Sequence, residues 1–261
     1  MKTIKALFLL LTITLSFQAF GWGQTGHRIT GAIAEHYLTP QAQKAVNDLL
    51  VNEDLAEAST YFDEMKSNQS DFWQKTASPW HYVNVHKGKT YQQEGAPPEG
   101  DGVTALMMYS KLIKDPHSSF EDKKLALKFI IHIIGDLHQP FHTGTSEDHG
   151  GNKVKLNLFW QDTTLHRIWD EDLIDHQLLS YSEWTDWLCK KITEKQVEQW
   201  QTTDPKVWIS EGVKLRLGLY PKKEKLSWNY QYQNLPIIKQ RLQQAGIRLA
   251  FYLNELFKTG D

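Results

Sequence analysis

The sequence predicts a mainly α protein, a single-domain helical bundle carrying one short β-hairpin. Three observations lead there. Most segments repeat apolar residues every three or four positions, which is the helical period. One segment, "NKVKLNLF", alternates instead and is rich in β-branched and aromatic residues, the strand pattern. No internal repeat or low-complexity stretch divides the chain, and 40% of its 261 residues are hydrophobic, enough for one sizeable core.

The elements follow in chain order. "HRITGAIAEHYL" sets Ile29, Ile33, Ala34, His36 and Tyr37 at helical spacing, with Thr25 as its expected N-cap. "PQAQKAVNDLL" restarts a helix after Thr39, with Pro40 at the first helical position. Residues 86–102 are rich in Gly and Pro and read as a loop. "VTALMMYSKLIKD" is a helix that stops at Pro116. "SFEDKKLALKFIIHIIGDLH" is the longest apolar-periodic run and stops at Pro140. Three further helices are expected over 182–200, 205–220 and 236–257, the last opening on Pro236.

The first 21 residues stand apart. Lys2 and Lys5 precede "ALFLLLTITLSF", which is shorter than the roughly 20 apolar residues that span a bilayer. Ala19 and Gly21 put small residues before a cleavage point. Residues 1–21 therefore read as a secretory signal cut after Gly21, leaving a domain of 22–261 that is periplasmic or extracellular. The alternative is an uncleaved lipid anchor. Cys189 is the single cysteine, so an exported chain has no internal disulfide and relies on packing or metal. Without Lys2 and Lys5, 27 of the 29 basic residues face 31 acidic ones, a net charge of −4. That total speaks against the broad basic face of most nucleic-acid binders.

Ten of the eleven histidines lie between His27 and His166, several of them paired with aspartates. "HIIGD" places His132 and Asp136 four apart, on one face of a helix, and "HRIWD" does the same with His166 and Asp170. His142 follows Pro140 between them. Imidazole nitrogen with carboxylate oxygen is the zinc donor set of hydrolytic sites. One such pair by itself is more readily a hydrogen-bonded pair, but two in about 40 residues favour metal. His132 lies among isoleucines, where a metal and one further hydrogen-bond acceptor would satisfy both ring nitrogens. His81 in "PWHYVN", on an expected extended segment, and Asp63 in "TYFDEMKS" are weaker candidates, equally readable as an ordinary polar residue and a solvated helix charge. His138 is expected to be structural. His36, His86, His117 and His176 show no partner pattern.

Together these stretches resemble the S-one/P-one family of zinc-dependent single-strand nucleases. The resemblance rests on "WGQTGH" at 22–27, "YFD" ending at Asp63, "HY" at 81–82, "HIIGDLHQPFH" at 132–142, "GGN" at 150–152 and "TLHRIWD" at 164–170. It implies the phospholipase C/nuclease-like helical fold and three zinc ions. Asp63, His81, His132 and Asp136 would hold one. Trp22, through its free α-amine and carbonyl, would hold a second with His27 and a bridging Asp136. His142, His166 and Asp170 would hold the third. A free α-amine titrates close to neutrality, so a metal displaces its proton at little cost. Three divalent ions would bring the net charge to about +2, all of it concentrated in one cleft.

The resemblance further implies hydrolysis of single-stranded DNA and RNA to 5′-phosphate products by activated water, without a protein nucleophile, and a 3′-nucleotidase activity. Lys66, one turn after Asp63, is expected to act with the catalytic carboxylates Asp63 and Asp136 by neutralising charge on the phosphate. Tyr82 is expected to stack an unpaired base. Asn84, where some relatives carry an aspartate, would meet the base edge; its amide both donates and accepts. His149 and Asn152 are further substrate-contact candidates. Nucleic acid and nucleotides are the expected partners, with no obligate protein partner and no stable membrane insertion. A zinc-dependent phospholipase C is the nearest alternative, disfavoured by Lys66 and Tyr82. A non-catalytic zinc-binding protein is the second.

Overall fold

The computed structural model describes residues 21–258, so the expected leader, Gly21 apart, lies outside the described residues. Helices dominate. The long ones are Gln24–Glu35, Pro40–Leu50, Gly102–Lys114, Phe120–Asp136, Pro205–Arg216 and Trp228–Leu256. Thr39 accepts a hydrogen bond from the Ala42 N–H, and Ser119 does the same for Asp122, so both act as N-caps. Among the described residues no helix is long and apolar enough to cross a membrane.

Three helix boundaries differ from expectation. The first helix begins at Gln24 with Gly23 as its N-cap, which puts Thr25 inside the helix. The run at 182–200 is two helices, Tyr181–Cys189 and Glu194–Trp200. Ser180 with Glu183, and Thr193 with Gln196, form reciprocal capping boxes that start each one. The last helix starts at Trp228 and runs through Pro236. Pro236 and its neighbour Tyr232 are exposed, so water can take the carbonyl bond that proline cannot donate.

The expected hairpin is present. Strand β1 (Lys155–Leu158) pairs antiparallel with β2 (Gln161–Thr164), with Leu158 opposite Gln161. Phe159 and Trp160 turn the chain, both at positive φ (49° and 67°), the conformation of a two-residue hairpin turn. A third strand, β3 (Lys225–Leu226), runs parallel to β1 and gives the order β2-β1-β3. Two residues carry no readable period, so this strand had no sequence signal.

Two apolar clusters form the core. One surrounds the Phe120–Asp136 helix and includes Phe62, Trp73, Trp80 and Phe129. The other contains Trp22, Phe141, Trp169 and Trp184. The first helix supplies both, with Ile29 and Ile33 in one and Ala34 in the other. Residues flanking this seam hold the histidine and aspartate cluster described below.

A buried ionic network braces the end of the bundle. Arg248 donates to both oxygens of Glu211 at 2.6 and 2.7 Å, and Arg241 donates to one of them at 2.7 Å. Burial pushes the Glu211 pKa up, but Arg248 and Arg241 outweigh it and hold the group below 4.5. His138 completes the network: its Nδ1–H donates to the Ile134 carbonyl at 2.7 Å and its Nε2 accepts from Arg248 at 3.2 Å. Burial and the two arginines keep this ring neutral, in the structural role expected of it. Replacing Glu211 with Ala would leave two buried guanidinium groups uncompensated, and denaturant unfolding should show a loss of about 3 kcal/mol. Because the folded-state pKa is depressed, this contribution is full above 4.5 and is lost as pH falls through the folded value. Wild-type and variant stabilities should therefore converge in acid.

Candidate metal centre and substrate cavity

The Phe120–Asp136 helix brings His132 and Asp136 onto one face, with Nε2 and Oδ2 3.1 Å apart. His27, in the first turns of the opening helix, reaches the other oxygen of Asp136 at 3.2 Å. Gly135 makes room for it: a Cβ there would sit 3.0 Å from His27 Nδ1, which explains the glycine of "HIIGD". Gly23 N–H donates to the Asp170 carbonyl at 2.9 Å, tying the start of the domain to the second His–Asp pair. A Cβ on Gly21 would overlap the Asp136 carboxylate, so the chain entering Trp22 lies against that group.

Asp63 comes from the short helix Tyr61–Glu64. His81 does not lie on an extended segment. It closes the 3-10 turn Ser78–His81, which has Pro79 at its second position, and Tyr82 is the first extended residue. The turn aims His81 Nδ1 at Asp136 Oδ2 and at His132 Nε2, each at 3.0 Å, with Asp63 Oδ1 at 3.9 Å. His142 sits on the 3-10 turn Pro140–Thr143. His166 and Asp170 occupy the helical turns Leu165–Arg167 and Ile168–Asp172, with Nε2 3.1 Å from Oδ2. His142 lies 3.9 Å from both Asp170 and Asp136 and joins the pairs.

Three groups result: His27, His132 and Asp136; Asp63, His81 and His132; and His142, His166 and Asp170. Within each, the donor atoms lie within 4.8 Å of one another. The eight candidate side chains, separated by up to 143 positions, thus converge. Asp136 touches His27, His81 and His132, as a bridging carboxylate must.

Backbone carbonyls orient the rings. His132 Nδ1 meets the Ser59 carbonyl at 2.7 Å, His142 Nδ1 the His81 carbonyl at 2.6 Å, and His166 Nδ1 the Gly150 carbonyl at 2.6 Å. A carbonyl can only accept, so each Nδ1 donates, which leaves each Nε2, turned toward the carboxylates, as the ring nitrogen that can offer a lone pair to a metal. Such lone pairs beside carboxylates suit a cation, not a hydrogen bond. Five buried polar atoms of the eight His and Asp side chains have no hydrogen-bond partner: both ring nitrogens of His27, Nε2 of His81, Oδ1 of Asp136 and Oδ2 of Asp170. Two of these contacts are as short as 3.1 and 3.2 Å yet lack hydrogen-bond alignment. Buried polar atoms are seldom left so, and the donor set fits zinc.

The electrostatics agree. Burial, helped by Lys66, drives His81 down to about 3; burial and His132 lower His27. Both are neutral lone-pair donors. Burial opposes charge on His132, but Asp136 and Asp63 outweigh it and raise its pKa. Burial also disfavours the charges of Asp136 and Asp63, yet His132 and His142 hold the first, and Lys66 and His132 the second, well below the usual carboxylate range. At Asp170 burial wins, and the carboxyl rises to about 7.

Beside the cluster is a cavity of about 240 Å³ lined by Tyr82, Asn84, His149, Asn152 and His166 among others. All four expected substrate-contact residues are therefore on one wall system. Asn152 Nδ2 donates to the His149 carbonyl at 3.0 Å, and His149 adopts a left-handed φ of 51°. Lys66 pairs with Asp63 and is 12% exposed at its side chain, so it is not a solvated surface lysine.

Sequence reasoning missed two contributors. Gln139, fully buried, donates to Asp170 and accepts from the Phe141 N–H. An amide directly before a proline, between two candidate ligands, was its only signal. His86, expected to have no partner, bonds Glu94 and Ser146 at 2.9 and 3.0 Å; neither spacing is a motif. Replacing Gln139 with Ala should weaken metal retention by the His142–His166–Asp170 group about 10–100-fold in competition with a chromophoric chelator. Unchanged retention would show that Asp170 needs no such support.

Comparison with known proteins accords with this geometry. The family described as S1/P1 Nuclease matches residues 22–258. Endonuclease 2 of Arabidopsis thaliana is 30% identical over 98% of each chain. Nuclease S1 of Aspergillus oryzae is 26% identical over 93% of this chain and 94% of its own. Nuclease P1 of Penicillium citrinum is 26% identical over 90% and 97%. With the family matched over nearly the whole chain, and its helical fold and His/Asp groups in place, this protein belongs to the S1/P1 nuclease family and is a phosphodiester hydrolase, an endonuclease.

Proposed function

We propose that residues 22–261 form an exported zinc-dependent endonuclease that cuts single-stranded DNA and RNA to 5′-phosphate products and also removes 3′-phosphates from nucleotides. One observation carries this reading: three His/Asp groups share a buried seam next to a cavity walled by an aromatic ring and amide side chains. Asp63, His81, His132 and Asp136 would hold one zinc, and His27, Asp136 and the Trp22 terminus a second. His142, His166 and Asp170 would hold the third. Bound there, the ions supply Lewis acidity to the phosphodiester and to the attacking water.

The protein's own groups do the rest. The ionised Asp63 and Asp136 set the charge of the centre. Lys66, held one turn from Asp63, sets a positive charge at the edge of the cluster, where it offsets charge gathering on the phosphate oxygens. Tyr82 offers a plate for an unpaired base, a contact that a base inside a duplex cannot make without unstacking. Asn84, Asn152 and His149 offer hydrogen bonds around it. Export is supported by the leader's pattern, and leader cleavage would free the Trp22 amine beside Asp136.

Metal analysis of the mature protein, combined with digestion of single-stranded and duplex DNA and RNA, tests the reading directly. Zinc near three per chain and faster loss of single strands are expected. Release of diacylglycerol from phosphatidylcholine without nucleotide release would make it a phospholipase C. Zinc-loaded protein inert on every phosphoester would make it a storage protein. Lys66→Ala should cut kcat about 100-fold with zinc content unchanged; an undiminished kcat removes Lys66 from the site.

A further inference from the structure

His86 stands at the start of the loop expected over 86–102, outside the metal cluster. Its Nδ1 lies 2.9 Å from Glu94 Oε1 and its Nε2 3.0 Å from Ser146 Oγ. The His86 backbone N–H also reaches Glu94, at 3.4 Å, and Lys89 approaches the same carboxylate at 3.5 Å. Ser146 lines the cavity that holds Tyr82 and Asn84. It also lines a second cavity, of about 260 Å³, on the other side of those two residues, where His86 and Glu94 sit. Tyr82, Asn84 and Ser146 are thus the partition between the two.

The polarity of this line is fixed by its first member. A carboxylate only accepts, so His86 Nδ1 donates to Glu94, and a ring that holds one proton carries it there. Nε2 then carries the lone pair, and Ser146 must give its single hydroxyl hydrogen to it. What Ser146 has left to offer the substrate cavity is acceptor capacity alone.

We infer that Ser146, oriented by His86 and Glu94, is a specificity-determining residue of the base cavity and gives it a preference for guanine. The inference rests on the nuclease reading of the same site. Guanine presents two adjacent donors, N1–H and the N2 amino group. Ser146 Oγ and the Asn84 carbonyl are two acceptors on one wall. Uracil presents one N–H flanked by two carbonyls. Asn84 can turn its amide to meet a uracil carbonyl, but Ser146 cannot reverse while His86 holds its hydrogen.

The backbone at 83–85 and 142–144, which leads into this wall, is held without this line. Val83 N–H donates to the His142 carbonyl and Val85 N–H to the Gly144 carbonyl, each at 2.9 Å. Buried Arg216 clamps the same two segments through the Val85 carbonyl, at 2.8 Å, and the Thr143 carbonyl. Removing the hydroxyl or its orienting groups therefore changes what the cavity offers more than where its wall lies. His86 and Glu94 are positioning residues.

The test uses zinc-loaded protein and two readouts. Calorimetric titration with 5′-GMP and 5′-UMP should show GMP bound about tenfold more tightly, the size of one added hydrogen bond. Ser146→Ala and Glu94→Ala should bring that ratio toward one, and Ser146→Thr, which keeps the hydroxyl, should retain it. Zinc content should be unchanged in all three, so that a lost ratio reports the hydroxyl and not the metal centre. Equal affinity in the wild type, or a ratio that survives Ser146→Ala, overturns the inference. Turnover of GpG and UpU judges the nuclease reading separately: selective nucleotide binding with no cleavage would sink that reading and leave the role of Ser146 standing.

Discussion

The carboxylate of Asp136 is wholly buried, and three imidazoles close on it within 3.2 Å. A buried anion is tolerated only when it is paired and hydrogen-bonded, since burial of the charge costs several kcal/mol. Here one oxygen has no hydrogen-bond partner, and Asp63 adds a second buried anion nearby. The rest of the site can be read as what this constraint requires. Neutral lone pairs are turned toward the anions, cationic Lys66 is drawn in beside Asp63, and the donor atoms are spaced for divalent ions.

The seam between the two apolar clusters makes such an arrangement feasible. Phe62 packs its ring 3.9 Å from that of His81 and 5.1 Å from that of His132, excluding water on one side. Phe141 and Trp169 of the other cluster pack edge to face, with ring centroids 5.8 Å apart, in the segments that carry His142, His166 and Asp170. Rigid helices alone would leave the rings free to turn. The carbonyls of Ser59, His81 and Gly150 fix them, and all three come from turns or loops, not from helix interiors whose carbonyls are already engaged.

The same economy appears in the substrate wall. The segment from Tyr82 to His86 leaves the cluster in extended form and pairs with 142–144, so ligand and substrate residues share one piece of backbone. Buried Arg216 holds both segments from a helix in the other half of the chain. Metal geometry and base recognition are thereby coupled: a shift of His142 would move the wall that carries Asn84 and Ser146.

Much of this was legible from residue order. Helical periodicity, Pro40 at a first helical position and the alternation at 152–159 marked the elements, because these signals act within a few residues. His132 with Asp136, and His166 with Asp170, were readable because one helical turn sets their separation. Pro236 misled, since its penalty vanishes at an exposed position, and β3 was invisible because two residues have no period. Asp63, His81, Trp22 and His27 were joined to the centre by resemblance only. Nothing local determines that residues 143 positions apart fold back to within a few ångströms. That convergence, the carbonyls that orient each ring, and the His86–Glu94–Ser146 line were decided by tertiary packing, because each partner is supplied by a different loop whose path depends on the whole core.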